Sequence, residues 1–139
     1  MIKRILFSVL ILVIMGFVVQ YYLFNKPHRN IAAAKEDFVI SADSFYKAYS
    51  LDETASNAKY LEKVIAVEGK VEELQLENAE EPTVAISAGS DGATIRCGFK
   101  KELLNEVKGL KTGSTIKIKG RCDGMDMFGV VMTQCSLIK

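Results

Sequence analysis

An unbroken apolar run from Ile5 to Phe24 constrains this chain more than any other stretch. It is uncharged, and 17 of its 20 residues are hydrophobic, the exceptions being Ser8, Gly16 and Gln20. A helix rises about 1.5 Å per residue, so the run is about 30 Å long, the thickness of a bilayer's hydrocarbon core. Each of its 14 Leu, Ile, Val and Phe residues favours the bilayer centre by about 0.3 to 0.6 kcal/mol, which outweighs the few polar positions. Residues 5–24 are therefore expected to be a transmembrane anchor in contact with lipid, after a cytoplasmic tail of residues 1–4.

A cleaved signal peptide is the competing reading of such a start. Its apolar region would be shorter, about 7 to 15 residues, and would end in a small-x-small site. Here Gln20, Tyr21, Tyr22, Leu23 and Phe24 close the run with bulky residues, and the two tyrosines suit the headgroup region. The candidate cleavage site is Ala32, Ala33, Ala34, so cleavage near Ala34 stays open beside the anchor. Basic residues flank both ends: Lys3 and Arg4 before the run, Lys26, Arg29 and Lys35 after it. Moving the short N-terminal tail across would carry two cations and the free amine, whereas long C-terminal domains translocate largely regardless of charge. The expected location is thus the cytoplasmic (inner) membrane, single-pass, with the C-terminal domain outside the cytoplasm.

Without residues 1–26 the chain keeps 15 of its 18 Lys and Arg and all 17 Asp and Glu, a formal −2. Phosphate neutralisation supplies most non-specific affinity for nucleic acid, so a mildly acidic domain disfavours that partner. The 113 remaining residues suffice for one domain. Pro27 ends the membrane helix and opens a polar linker over residues 25–30. Residues 31–61 are then expected to be helical. Asn30 is the cap, Ile31, Ala34, Phe38, Ala42, Phe45 and Tyr49 form one stripe, and Ser50 or Asp52 caps a shorter helix running to Leu61. These aromatics read first as packing residues, with a partner-binding stripe as the alternative.

From residue 62 the period becomes two, and a barrel is expected over 62–139. Ile65, Val67 and Val71 mark the first strand, with Gly69 at a bend; Val84 and Ile86 mark the second; Ile95, Cys97 and Phe99 mark the third. An amphipathic helix over Lys100 to Lys108 presents Leu103, Leu104 and Val107, and ends at Gly109 with Leu110 folding back. Ile116, Ile118, Gly120 and Cys122 mark the fourth strand, and the fifth runs from Gly129 to Ile138 after a turn around Asp123 to Phe128. Three strands, a helix and two strands give a mainly β fold, a five-stranded Greek-key barrel of the OB type, with an unspecified meander as the alternative.

The spacing of Ala58, Tyr60, Lys63, Val67, Gly69 and Val71, then Cys97 with Phe99, Gly113, Gly120 with Cys122, and Cys135 resembles the bacterial tRNA-anticodon-binding-like OB family over about residues 50 to 139. That resemblance implies an OB fold in an extracytoplasmic, membrane-attached setting. It does not imply tRNA binding, because a fold does not fix function. No cysteine stands near the end of the apolar run to accept a lipid, which departs from the lipoprotein form of such proteins.

The three cysteines all fall on strands. A Cys122–Cys135 disulfide would close a loop of about 14 residues, worth about 3 kcal/mol, against three buried reduced thiols. No paired spacing suggests zinc, and no cofactor or metal is expected. His28, the sole histidine, lies on the linker, which leaves a nucleophile in the barrel without a nearby base, so no enzymatic activity is expected. Glu72, Glu73, Glu77, Glu80 and Glu81 read as solvated charge, with a weak divalent-cation site as the alternative. Lys117, Lys119 and Arg121 form a basic row on one face of the fourth strand and, with Phe128, a candidate ligand face; a solvated edge is the competing reading. The expected function is a non-catalytic, membrane-anchored OB module binding an envelope protein, peptide or glycan, with a single-stranded nucleic-acid-binding OB domain as the alternative.

Overall fold

The computed structural model describes residues 2–24, 31, 33–89 and 92–138, with side chains on the first helix from Ile11 to Tyr22. Helix α1 covers Ile2–Phe24. The expected linker with Pro27 and His28, the Asn30 cap, and Ala32 of the candidate cleavage site lie outside the described residues. Every described α1 side chain is solvent-exposed, and among the described residues no helix is long and apolar enough to cross a membrane.

Six strands form one sheet in the order β1-β2-β3-β4-β6-β5, and an additional β2–β5 pairing closes five of them into a barrel. They are β1 (Phe38–Ser41), β2 (Val64–Gln75), β3 (Thr83–Ser87), β4 (Thr94–Phe99), β5 (Thr115–Asp126) and β6 (Gly129–Ile138). Closure works because β2 changes partners along its length. Residues 64–70 pair with β5, and residues 71–75 pair with β3 across a register shift between Val71 and Glu73. Strands β4 and β6 run parallel and every other barrel pair is antiparallel, which is the OB arrangement. Gly69 serves here for close approach: a Cβ on it would lie 2.4 Å from Ile86 Cγ2 and 2.9 Å from Ala42 Cβ.

Three local expectations need correction. The described residues from Ala33 to Ser41 are not helical, because Phe38–Ser41 lies parallel along β2 as β1, with Val39 opposite Ala66. The helix begins only where Ser41 caps it, its Oγ accepting from Ser44 N, so α2 is Ala42–Leu51. Asp52 then caps α3 (Glu53–Tyr60) through Ala55 N, as its spacing implied. Second, β5 continues to Asp126, which shortens the expected turn over 123–128 to Met127 and Phe128. Third, the segment after β4 is a 3-10 turn at Lys101–Leu103 followed by α4 (Leu104–Lys108). Gly109 closes it in a right-handed conformation, while the left-handed glycine is Gly113 at φ +83°.

Ile65, Val67, Ile86, Ile95, Phe99, Ile118 and Met132 fill the barrel, with Phe45, Tyr49 and Tyr60 packed against them from α2 and α3. Val64 and Ala66, outward by alternation, are buried as well. The chain leading into β1 covers them. Asp37 N donates to Val64 O, the Asp37 carboxylate accepts from Val64 N, and Lys119 Nζ donates to Ala34 O at 2.9 Å.

All three cysteines are free and buried. Cys122 lies opposite Met132 on β6, not Cys135, so the expected Cys122–Cys135 bridge has no register to form in. Tyr49 Oη is hydrogen-bonded to Cys122 Sγ at 3.2 Å. Burial pushes the Cys122 thiol up, against the opposing Tyr49 bond, and pushes Cys135 well up with Cys97 beside it. A raised folded value stabilises the fold fully below the unfolded thiol value, about 8.5, and that stabilisation falls as pH rises through the folded one. The expected result with a thiol reagent at pH 8 is no labelling of the native domain and three labelled thiols after denaturation without reductant. Fewer than three would reveal a bridge.

Candidate ligand face

A binding face requires side chains that leave the barrel wall without belonging to its core. Alternation along β4 sends Ile95, Cys97 and Phe99 inward and leaves Arg96 and Gly98 outward. On β3 the paired outward residues are Ala85 opposite Arg96 and Thr83 opposite Gly98. This floor of small residues is bordered by the loop from Leu76 to Pro82 on one side and by the β5–β6 hairpin tip on the other. Near the loop it deepens into a concavity of about 430 Å³ lined by Glu80, Glu81, Gly98, Lys100, Arg121 and Thr133, among others. Gly98 matters there: a Cβ on it would meet Glu81 Oε1 at 3.2 Å.

The hairpin tip is held in shape by its own residues. The Asp126 carboxylate accepts from Phe128 N at 2.9 Å, Thr94 Oγ1 donates to the Phe128 carbonyl at 3.3 Å, and Gly129 turns the chain at φ +137°. The Phe128 ring then lies near the Arg96 guanidinium, 5.5 Å from Cζ to centroid, and the same guanidinium is ion-paired with Asp126.

Carboxylates accompany the cations along this face. Arg96 pairs with Asp126 and Lys101 with Glu80, while Arg121 Nε donates to Asp123 at 2.9 Å; Thr133 Oγ1 donates to the other Asp123 oxygen at 2.7 Å. Each pair is solvent-accessible and contributes little to stability, about 0 to 1 kcal/mol, but it cancels the local field that would draw a polyanion.

The basic row anticipated on β5 is divided among separate tasks. Lys119 is nearly buried beneath the chain entering β1, bonded to Ala34 O and 3.7 Å from Glu36. Glu36 is held below the usual carboxylate range, first by a backbone hydrogen bond and then by Lys119 and Lys117. Lys117 lies opposite Glu68 of β2, Arg121 borders the concavity, and Phe128 borders the floor at its other end. Arg96 and Lys101 did not emerge from the sequence as site residues. A lone arginine at an outward position within Thr94–Phe99 was the available signal for the first.

A second and larger cleft, about 550 Å³, lies where α2 starts and is lined by Ser41, Lys47, Glu68, Gly69, Lys70 and Ser87. Among the described residues no group of three or more His, Cys, Asp or Glu could hold a metal ion. The thiols whose values are shifted move up, which keeps them protonated and opposes a nucleophilic role.

A family model described as tRNA_anti-like matches residues 1–137. No curated protein matches the chain in sequence. Among solved structures, a lipoprotein of Klebsiella pneumoniae subsp. pneumoniae whose nucleic-acid binding is inferred is 16% identical, with a TM-score of 0.63 over 82% of this chain and 100% of its own. An inferred aspartyl-tRNA synthetase of Leishmania major Friedlin is 9% identical, with a TM-score of 0.53 over 90% of this chain and 26% of its own. The asparaginyl-tRNA synthetase of Entamoeba histolytica, 17% identical, reaches 0.43 over 59% of this chain and 22% of its own. The chain therefore spans only about a quarter of either synthetase.

Proposed function

We propose that this chain, which belongs to the tRNA_anti-like family, is a membrane-anchored, extracytoplasmic OB-fold binding module without catalytic activity, whose ligand is a protein, peptide or glycan. The carrying observation is the electrostatic state of the face between the loop and the hairpin. Single-stranded nucleic acid is held by cations that follow the backbone and by exposed aromatics that stack on bases. On this face Arg96, Lys101 and Arg121 are engaged by Asp126, Glu80 and Asp123, Lys100 shares the concavity with Glu80 and Glu81, and Phe128 at its border already lies near an arginine. A ligand that docks by hydrogen bonds and shape needs no free positive charge, and the small-residue floor with its flanking concavity suits an uncharged or mixed-charge chain.

The anchor reading is supported by the sequence, uncharged and apolar from Ile5 to Phe24, and by the exposure of the described side chains from Ile11 to Tyr22. The Klebsiella neighbour is a lipoprotein; here the first cysteine is Cys97, so attachment falls to the apolar helix instead. Filter binding of a single-stranded oligonucleotide across a salt series tests the ligand class. The expected result is weak retention that changes little between 50 and 200 mM salt, two arbitrary points bracketing about the physiological range. Tight retention falling steeply over that range would assign the face to single-stranded nucleic acid and overturn the proposal.

A further inference from the structure

The β5–β6 turn presents two apolar side chains to solvent at the very end of the barrel: Met127 is 91% exposed and Phe128 67%. Neither belongs to the core, and the turn's shape is fixed without them, by Asp126, Thr94 and Gly129. A two-residue turn of this kind ordinarily carries polar residues. Leu61, 43% exposed, belongs to the same end of the barrel, because its Cδ1 lies 3.6 Å from where a Cβ on Gly124 would stand. Exposed Lys59, its ammonium over the Phe38 and Tyr60 rings, and exposed Lys63 flank it in sequence; of the acidic residues at this end Asp123 and Asp126 are ion-paired, which leaves exposed Glu62 beside the two lysines.

We propose that this hairpin tip is a second membrane contact, with Met127 and Phe128 seated in the interfacial region of the bilayer that holds α1, and with Lys59 and Lys63 facing anionic headgroups. The inference rests on the anchor reading and adds a location and an orientation for the barrel. Chain length makes the contact reachable. From Phe24 to the buried Ile31 there are seven residue steps, so Ile31 stands at most about 25 Å from the end of α1. The entering chain is pinned near Lys119, and from Lys119 to Asp126 along β5 is again seven residues, about 23 Å. A tether of this length lets the tip reach the surface, and apolar side chains with a basic fringe partition to an anionic interface. The Arg96 face beside the tip would then lie at the membrane surface, open to ligands that are themselves membrane-bound.

The sequence has no tryptophan, so one substitution creates a sole fluorophore. Full-length Phe128→Trp and, separately, Tyr22→Trp are reconstituted into vesicles of neutral and anionic phospholipid, with or without brominated acyl chains. Expected are blue-shifted emission and at least twofold bromine quenching for both, with Met127→Ser in the Phe128→Trp background reducing tip quenching by half or more. Quenching at position 22 with water-like, unquenched emission at position 128 overturns the tip contact and leaves the anchor intact. Absence of quenching at both positions overturns the anchor reading and the tip contact with it.

Discussion

Gly129→Ala is expected to destabilise the barrel by about 3 to 5 kcal/mol and to lower its melting temperature by about 15 °C or more. Two independent penalties meet at this residue. Its φ of +137° is a conformation that L side chains rarely adopt, and an added Cβ would lie 2.0 Å from the Thr94 carbonyl oxygen, a backbone atom that cannot swing aside. Thr94 and Gly129 are the first residues paired across β4 and β6, the parallel seam of the barrel, so relief of the clash must open that seam or unwind the turn. Gly113→Ala separates the two penalties: it also has positive φ, at +83°, but open space around it, and should cost about 1 kcal/mol. Thermal unfolding followed by circular dichroism compares them. Equal losses for the two variants would show that the seam is not as tightly closed as the Thr94 contact requires.

The barrel was legible in the sequence wherever neighbours in sequence are also neighbours in space. Ile65, Val67 and Val71, then Ile95, Cys97 and Phe99, alternate because each strand has one face in the core, and the order of strands around the 100–108 helix selects the OB arrangement. The stretch before it misled for a physical reason. Ile31, Ala34 and Phe38 recur at helical spacing, yet Val39 and Ile40 are β-branched, and Ser41 marks the actual helix start. What makes Phe38–Ser41 a strand is the edge of β2, some 27 residues away, a non-local effect that periodicity does not carry. The β5 extension was hidden differently: a register shift between Cys122 and Gly124, with Gly124 at φ +100°, breaks the alternation and imitates a turn.

The site was less legible than the fold. Arg121 and Asp123 sit two residues apart on one strand face, and their pairing follows from parity alone. Arg96 and Asp126 are 30 residues apart and meet only because the parallel β4–β6 seam aligns the hairpin with β4. The fate of Lys119 lay 85 residues away in Ala34, whose carbonyl it caps. A row of three cations in the sequence therefore became one structural lysine, one ion-paired arginine and one lysine opposite Glu68 on β2.

Phe45→Ala is expected to cost about 3 to 5 kcal/mol, with the loss concentrated in the helical cap on the barrel. Phe45 is fully buried, and its ring meets Tyr49 edge-on at 5.6 Å and Tyr60 at 5.3 Å; Phe38 meets Tyr60 in turn at 5.2 Å. These four rings come from β1, α2 and α3, so the cluster fastens to the barrel the same chain that arrives from α1. Truncation leaves a cavity at its centre, lined by rings too large to close it by rotating. Native-state hydrogen exchange is the informative measurement, since it resolves the cap from the barrel. Amides of α2 and α3 should lose most of their protection while those of β3 and β4 keep theirs. Uniform loss across all four elements would mean that cap and barrel unfold as one unit. Under the proposed tip contact a selectively loosened cap has a functional consequence as well: the barrel would no longer be fixed relative to its tether, and bromine quenching at position 128 should fall while that at position 22 stays.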